Sequence, residues 1–320
     1  MINILNQVQN PAIGTDRRSK SFIRKRLLES RYLILLFLPC LIYYIIFRYV
    51  PMWGILIPFE NYKAFKGFFA SSWVGFSNYV KIFNSIDFFS LLSNTFKLGI
   101  MCFVIEFPFP IIFALILNEV HKPRYKKFVQ TVSYMPYFMS MVVVVGMLNI
   151  VLNPRNGILN NLIASLGMEK INFLVDATRF RWVYILSDIW QYTGWGAIIY
   201  LAALSNVDVQ LYEAAMIDGA NKWKQMIHIT LPSIAPVIIT MLLLNTGSIV
   251  DIGFEKVYLM QNPSISFTTD VFATYVYRTG IQHGNISYGA AYGIINSFIN
   301  LFFILISNWL ANRFSETSLW

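Results

Sequence analysis

Long stretches without charged side chains are the feature that most limits how this chain can fold. Each is long enough to cross the ~30 Å of hydrocarbon in a bilayer, which takes about 20 helical residues. Charged residues make up 13% of the chain, against about 25% in soluble domains. This composition predicts an integral membrane protein and excludes soluble enzymes and soluble nucleic-acid-binding proteins. The stretches without Asp, Glu, Lys or Arg are Phe128–Pro154, Ile189–Val207, Gln225–Val250 and Thr279–Asn312.

Two further spans are predicted where charged residues interrupt an apolar run. The first span of the chain continues past Arg48, whose long side chain can reach the membrane interface. The second contains Lys97 and Glu106 between apolar flanks. We therefore predict a basic N-terminal tail over residues 1–31 and a membrane domain over residues 32–320. The six predicted spans are approximately residues 32–49, 91–118, 128–152, 182–204, 233–251 and 286–312.

Basic residues predict the orientation of these spans. Lys and Arg accumulate in cytoplasmic loops, beside anionic lipid. Both termini are therefore predicted to be cytoplasmic, and the net charge of +9 indicates contact with membrane lipid rather than nucleic acid. Residues 48–90, 153–181 and 252–284 are then outside. The basic clusters are Arg17, Arg18, Lys20, Arg24, Lys25, Arg26 and Arg31 in the tail, and Lys122, Arg124, Lys126 and Lys127 after span two.

The connection between spans four and five, residues 206–232, has a pattern unusual for a membrane loop. Asp208 is a good helix N-cap, and Gly219 can adopt the conformation that ends the helix. A second amphipathic helix is predicted to follow, with Pro232 closing the unit before span five. Two short helices at an angle form a rigid projection suited to a groove on another protein. The apolar residues at i, i+3 and i+4 on the second helix are Trp223, Met226 and Ile227.

The alternative for this segment is an ordinary amphipathic helix lying on lipid. An acidic residue, two alanines and a mid-segment glycine are poor choices for binding anionic lipid. The predicted fold class is therefore all-α, with six transmembrane helices and a cytoplasmic helix-turn-helix coupling loop between spans four and five.

The loop resembles the EAA loop in permease subunits of bacterial binding-protein-dependent ABC importers. Its motif is Glu213-Ala214-Ala215, three residues, Gly219, nine residues, Ile229, one residue, and Leu231-Pro232. From about residue 25 to the end, the chain is similar to carbohydrate importers of the LplB type. The chain differs from the family at Met216-Ile217, where a smaller pair is common. The supporting runs are Trp73–Tyr79, Asn94-Thr95, Tyr134–Pro136, Thr274–Arg278, Ser287–Ala291 and Glu316–Trp320.

The resemblance implies a role in a heterodimeric importer of the bacterial cell membrane. This chain and a second permease subunit form the path for an oligosaccharide, and an extracellular sugar-binding lipoprotein delivers it. Each EAA loop sits in a groove of a cytoplasmic ATPase dimer, which binds ATP and Mg. A lipoprotein receptor and a composition rich in Lys, Ile and Asn favour a Gram-positive cell.

The resemblance also implies roles for residues of the loop. Glu213 pairs with a basic group of the ATPase, and Gly219 sets the bend. Ala214 and Ala215 allow close approach, while Trp223 and Met226 fill the groove. The full set of predicted coupling residues is Glu213, Ala214, Ala215, Asp218, Gly219, Trp223, Met226, Leu231 and Pro232.

Polar residues inside spans predict the substrate path, since they are costly in a membrane and usually face a cavity or a partner. Sugars offer hydroxyls and apolar ring faces, which suit carboxylates and amides beside aromatic rings. In span four, Asp188, Gln191 and Trp195 fall on one helical face. The alternative is that these groups pair with neighbouring helices. The candidates are Asp188, Gln191, Tyr192, Trp195, Glu106, Asn245 and Asn296; Asp251 and Asn300 are further polar positions.

The sequence predicts no cofactor and no catalytic or metal site in this chain. It contains no Gly-Lys dipeptide and therefore no P-loop. No His has a partner at metal-ligand spacing, and Cys40 and Cys102 indicate neither a disulfide framework nor a metal site.

Two other functions compete with that of an importer subunit. An intramembrane enzyme acting on lipid-linked glycans would need paired catalytic groups, for which Glu106 and Asp188 are the candidates. A secondary transporter usually has inverted repeats and broken helices, which are not evident in the sequence. The loop at residues 206–232 has no purpose in either alternative.

Overall fold

A computed structural model describes residues 31–247, 249–250 and 252–314, with only the backbone described for residues 34 and 310–314. The predicted basic tail, Asp251 and the run Glu316–Trp320 lie outside the described residues, apart from Arg31. The chain divides into two compact units, residues 1–56 and 57–320.

The described residues are mostly helical. The α-helices in chain order are α1 (Arg31–Tyr44), α2 (Ser77–Phe83), α3 (Ile86–Glu106), α4 (Pro108–Asn118), α5 (Pro123–Tyr134), α6 (Met141–Val151), α7 (Ile158–Ser165), α8 (Ala177–Leu204), α9 (Val209–Ile217), α10 (Lys222–Gln225), α11 (Leu231–Thr246), α12 (Phe254–Met260), α13 (Ser266–Thr269), α14 (Phe272–Val276) and α15 (Ile286–Phe314). Segments of 3₁₀ or π type are Ile45–Tyr49, Val50–Phe59, Met135–Phe138, Met226–Thr230, Pro263–Ile265 and Tyr277–Gln282. A two-stranded antiparallel ribbon pairs β1 (Glu60–Asn61) with β2 (Ser72–Trp73).

The first unit consists, where described, of α1 and the helical turns that continue it. The helical run extends over Arg31–Phe59, further than the predicted span, and Pro39 lies inside α1 without ending it. Its apolar side chains are exposed; Leu36, for example, is 78% exposed. An apolar helix with an apolar exterior is suited to lipid.

Helix α8 is the centre of the second unit, packing against α3, α4, α5 and α11. Small residues allow this close packing. A Cβ at Gly194 would overlap the Ser133 carbonyl group of α5, and one at Gly196 would lie 3.1 Å from the Pro110 ring of α4. The buried apolar cluster that includes α8 and α12 contains Leu98, Val145, Phe180, Tyr184, Ile185, Ile252, Val257, Met260, Ile265 and Val271.

Four described helical runs are long and apolar enough to cross a membrane, and they overlap predicted spans one, two, five and six. The predicted third span is two helices, Pro123–Phe138 and Met141–Val151, that meet at 100°. Its apolar run is long enough for one helix, but Ser140 is extended and caps α6, with its hydroxyl accepting from Val143 N at 3.4 Å. The predicted fourth span is α8, which has 28 residues. Its polar and aromatic residues make its mean hydropathy lower than that of the four runs. The four runs are Arg31–Phe59, Ile86–Asn118, Lys222–Thr246 and Ile286–Trp309.

The segment predicted as an outer loop over residues 252–284 is folded. It forms α12, α13 and α14, joined by short turns, and α12 packs against α6. Val257, Phe272 and Thr274 are each at most 1% exposed. These short helices bring residues far apart in the sequence against α8, which sequence periodicity alone does not show.

Candidate functional site

The loop between α8 and α11 begins with the predicted capped helix. Asp208 Oδ1 accepts from Gln210 N at 2.9 Å, which confirms the N-cap. Gly219 has a φ of +76°, as the predicted helix end requires. Ala220 N donates to Ala215 O at 2.8 Å and Gly219 N to Met216 O at 3.1 Å. This is a Schellman C-cap, so the chain reverses after α9 with its last carbonyls satisfied.

The second half of the loop differs from the prediction. Asn221 caps α10, and its Oδ1 accepts from Lys224 N at 2.9 Å. The helix then continues through the π turn into α11 as one run of 25 residues, Lys222–Thr246. The prediction that Pro232 separates two helices is wrong. Pro232 lies inside this run, directly after the π turn Met226–Thr230, and does not interrupt it.

Two contacts hold α9 on this long helix. The Tyr212 hydroxyl lies 3.0 Å from Thr230 Oγ1. Gln225 Nε2 donates to Ala220 O at 3.0 Å, and Gln225 is only 4% exposed. The two arms of the loop are therefore fixed relative to each other by buried and half-buried polar contacts.

The predicted coupling residues differ in exposure. Glu213, Ala214, Asp218, Gly219 and Pro232 are exposed, and the Trp223 side chain is 70% exposed. By contrast, Met226 and Leu231 pack against the core cluster around Ala197, Leu204 and Ile234. The loop thus exposes an acidic and aromatic surface, while two of the nine predicted residues face the interior of this chain.

A cavity of about 360 Å³ lies beside the middle of α8. It contains four of the seven predicted path residues, namely Glu106, Asp188, Tyr192 and Asn245. The described lining residues are Gly99, Cys102, Phe103, Glu106, Phe107, Pro110, Tyr184, Asp188, Ile189, Tyr192, Thr193, Gly196, Tyr200, Met241, Asn245, Ile249, Ile252 and Gly253. A wall of carboxylates, hydroxyls and aromatic rings can bind a hydroxyl-rich ligand.

The carboxylate of Asp188 is paired inside the protein. Lys256 Nζ of α12 donates to Asp188 Oδ1 at 2.5 Å, and the two side chains are 1% and 9% exposed. The same amine donates to Tyr184 O at 3.0 Å and lies 4.4 Å from the centre of the Tyr184 ring. Lys256 was not predicted as a site residue because it lies in a predicted outer loop. The adjacent charges Glu255 and Lys256 between the apolar residues Phe254 and Val257 are the signal that could have identified it.

The other predicted path residues do not line this cavity. Gln191 is 2% exposed, and its Nε2 donates to Met139 O at 3.3 Å. Trp195 stacks on Tyr137, with ring centres 4.4 Å apart. Asn296 lies on α15, where its buried Oδ1 has no hydrogen-bond partner among the described residues. The structure therefore does not bring Gln191 and Trp195 into the cavity with Asp188.

A second polar cluster surrounds Asp270, which is 3% exposed. Asp270 forms an ion pair with Arg278, and its Oδ1 accepts from Thr274 Oγ1 at 2.5 Å. Nearby, the Tyr275 hydroxyl donates to Asp87 Oδ2 at 3.4 Å, and burial raises the pKa of Tyr275. Arg278 therefore has a structural partner within this chain.

No group of three or more His, Cys, Asp or Glu side chains that could hold a metal ion occurs within the described ranges. Cys40 and Cys102 are both free thiols.

Comparison with known proteins gives consistent matches. Residues 106–316 match the family described as binding-protein-dependent transport system inner membrane component. The chain is 43% identical to the polygalacturonan/rhamnogalacturonan transport system permease protein YteP of Bacillus subtilis, covering 98% of this chain and 99% of YteP. It is 44% identical to protein LplB of the same organism, covering 91% and 92%.

Solved structures agree with these matches. The chain superposes with a TM-score of 0.85 on a chain of a bacterial ABC transporter involved in the import of the acidic polysaccharide alginate. The two are 36% identical, over 91% of this chain and 98% of that chain. A second structure, of a bacterial alginate ABC transporter in complex with an alginate pentasaccharide-bound periplasmic protein, matches with the same TM-score and identity.

Proposed function

The chain belongs to the family of binding-protein-dependent transport system inner membrane components, and from this membership we propose that it forms half of the translocation path of an oligosaccharide importer. It is a permease subunit of a carbohydrate ABC importer, and members of this family are not enzymes. The comparisons give no support to an intramembrane enzyme acting on lipid-linked glycans.

The geometry of residues 206–232 is the observation that supports coupling to an ATPase. A docking element must transmit force, so it must not bend when its partner moves. Two capped helices, a Schellman turn and the contact between Tyr212 and Thr230 meet that requirement. The exposed surface around Glu213 and Trp223 then offers a charged and an aromatic contact to a groove.

The proposed membrane arrangement has six spans and both termini in the cytoplasm. Four apolar helical runs, the bent pair of α5 and α6, and α8 supply the six. This arrangement puts residues 206–232 on the same side as the basic turn at residues 122–127. Membrane lipid surrounds the apolar exterior, in the cell membrane of a bacterium.

The proposed assembly contains a second permease subunit, a cytoplasmic ATPase dimer and an extracellular sugar-binding lipoprotein. ATP and Mg bind to the ATPase, which this chain contacts through its loop. The substrate path is proposed along the cavity beside α8. Glu106, Asp188, Tyr192 and Asn245 line it.

Co-purification with the ATPase tests this proposal. The tagged chain is extracted from its native membrane in a mild detergent, and the proteins bound to it are identified by mass spectrometry. Glu213→Arg should abolish recovery of the ATPase and sugar uptake but leave membrane insertion intact. Glu169→Arg, the same change at an exposed residue in a proposed outer loop, is the matched control. Recovery of the ATPase at the wild-type level with Glu213→Arg would refute the assigned coupling surface.

A further inference from the structure

We propose that a groove between α6, α7 and α8 binds an anionic phospholipid of the outer leaflet, with the lipid phosphate at Arg179 and one acyl chain along α8. The groove has a volume of about 410 Å³ and shares no lining residue with the cavity described above. The site is separate from the proposed substrate path. It requires only the proposed membrane arrangement, in which residues 153–181 are outside.

The groove and the cavity lie on opposite faces of α8. Trp182, Leu186 and Trp190 follow one another at intervals of four residues and line the groove. Asp188 and Tyr192 line the cavity, and each is two residues further along the helix, a rotation of about 200°. The cavity face is the proposed path that is shared with a second permease subunit. The groove face therefore points away from that subunit and towards lipid.

The interior of the groove is apolar. Leu148 of α6, Leu159 of α7 and Phe173 line it beside α8, and Arg179 is the one charged residue in the described lining. The hydroxyl of Ser187, which also lines the groove, already donates to Val183 O at 2.6 Å. Such a lining offers little to a sugar or a peptide backbone, whereas a hydrocarbon chain needs no hydrogen-bond partner there.

A buried amide fixes the wall that faces α8. Asn160 of α7 is 0% exposed. Its Nδ2 donates to Leu152 O at 3.2 Å and to Ile171 O at 2.9 Å. These bonds tie α7 to the chain on both sides of it, so the groove is formed without a ligand and little ordering is required on binding.

The length of the groove fits one leaflet of the membrane. Arg179 and Trp190 mark its two ends along α8 and are eleven residues apart, or ~16 Å along a helix. Half of the ~30 Å hydrocarbon thickness is about the same length. Trp182 lies within the first turn beyond Arg179, and tryptophan is enriched where the headgroups meet the hydrocarbon.

Arg179 provides the charge that an anionic headgroup requires. Its side chain is exposed, and the ion pairs formed within the described residues do not include it. Arg181, by contrast, donates to Thr268 O at 3.2 Å. Arg179 also lies in the first turn of α8, where the helix dipole disfavours a cation, so a bound phosphate relieves that cost. A guanidinium can bind a phosphate through two parallel hydrogen bonds.

The surrounding outer segment has the same sign of charge. Residues 153–181 contain four basic residues and two acidic ones. A net positive surface attracts anionic lipid over zwitterionic lipid.

Photolabelling with two lipids tests the inference. The chain is purified in the complex that it forms in its native membrane and is placed in nanodiscs of phosphatidylcholine. The nanodiscs contain a small, equal share of a lipid with a diazirine on its acyl chain, either phosphatidylglycerol or phosphatidylcholine. Mass spectrometry then quantifies the labelled peptides. We expect peptides with Leu148 or Leu186 to be labelled about fivefold more by phosphatidylglycerol, since one surface cation raises lipid affinity by about that factor.

Three variants separate the charge from the apolar groove. Arg179→Gln should bring the ratio of the two labels to about one. Arg155→Gln, the same change at an exposed outer arginine that does not line the groove, should leave the ratio unchanged. Leu186→Trp places a larger side chain in the groove and should lower labelling there by both lipids.

The contrary outcomes are distinct. Equal labelling by the two lipids in the wild type, or a preference that survives Arg179→Gln, overturns the proposal. Absence of lipid label from the groove of the intact complex also overturns it, because another protein segment then covers the groove. If Arg155→Cys in intact cells does not react with a membrane-impermeant thiol reagent, the groove is not in the outer leaflet. None of these measurements depends on sugar uptake, so the proposed transport function is tested separately.

Discussion

The buried ion pair between α8 and α12 gives the sharpest prediction for stability. Lys256→Met keeps a long apolar stem but removes the ammonium, which leaves Asp188, 9% exposed, without its cation. Removing one partner of a buried pair costs about 3–5 kcal/mol, whereas replacing both partners is often nearly neutral. At about 2 °C per kcal/mol for a chain of this size, the melting temperature should fall by about 6–10 °C.

Thermal unfolding of the purified chain in detergent, followed by tryptophan fluorescence, measures this loss. The double variant Lys256→Met/Asp188→Asn should recover most of it, because no unpaired charge remains. Lys81→Met, the same substitution at an exposed residue of α2, is the control and should change the melting temperature little. A Lys256→Met protein that melts within about 2 °C of the wild type would refute the argument. So would a double variant whose loss equals the sum of the two single losses.

Two further predictions concern backbone conformation and a buried amide. Gly219→Ala should lower coupled sugar uptake while Gly219→Asn retains it. A Cβ at Gly219 would meet nothing within 4 Å, so the positive φ alone accounts for the cost of about 1–2 kcal/mol for Ala. Asn tolerates this backbone conformation. Equal uptake by the Gly219→Ala and Gly219→Asn proteins would contradict this reasoning. Asn160→Ala should destabilise the chain by about 2–3 kcal/mol, because the fully buried amide donates to three backbone carbonyls, including Ile171 O, and accepts from Ile171 N. A denaturant titration of the Asn160→Ala protein that matches the wild type would contradict that reasoning.

Local signals account for the parts of the structure that the sequence could predict. The cap at Asp208 and the turn at Gly219 depend only on neighbouring residues, and both are confirmed. The continuous helix from Lys222 was not predicted because Pro232 was interpreted as a helix stop. Proline often breaks a helix from within, but here Pro232 follows the π turn Met226–Thr230 and the helix continues past it. Ser140 is a recognisable N-cap residue at the bend before α6. The apolar run on both sides of it nevertheless led to the prediction of a single span.

Tertiary contacts account for most of what was missed. Asp188 and Lys256 are 68 positions apart, so helical spacing on α8 could not identify the partner of Asp188. Helical spacing correctly predicts that Trp195 lies on the same face of α8 as Asp188, but it could not identify what Trp195 contacts. Its ring nevertheless stacks on Tyr137, which belongs to the turn before α6. Spacing gives the face of a helix, while the neighbouring chain decides what that face contacts.

The continuity of α10 and α11 joins the exposed loop to the cavity wall. The run Lys222–Thr246 has 25 residues and is therefore about 37 Å long. Trp223 lies exposed near its first turn, and Met241 and Asn245 near its other end line the cavity. The hydrogen bond from Tyr212 ties α9 to the π turn of the same helix. A force applied to the loop surface therefore acts on one end of a helix whose other end forms part of the cavity, and two separate helices divided at Pro232 would not transmit it in this way.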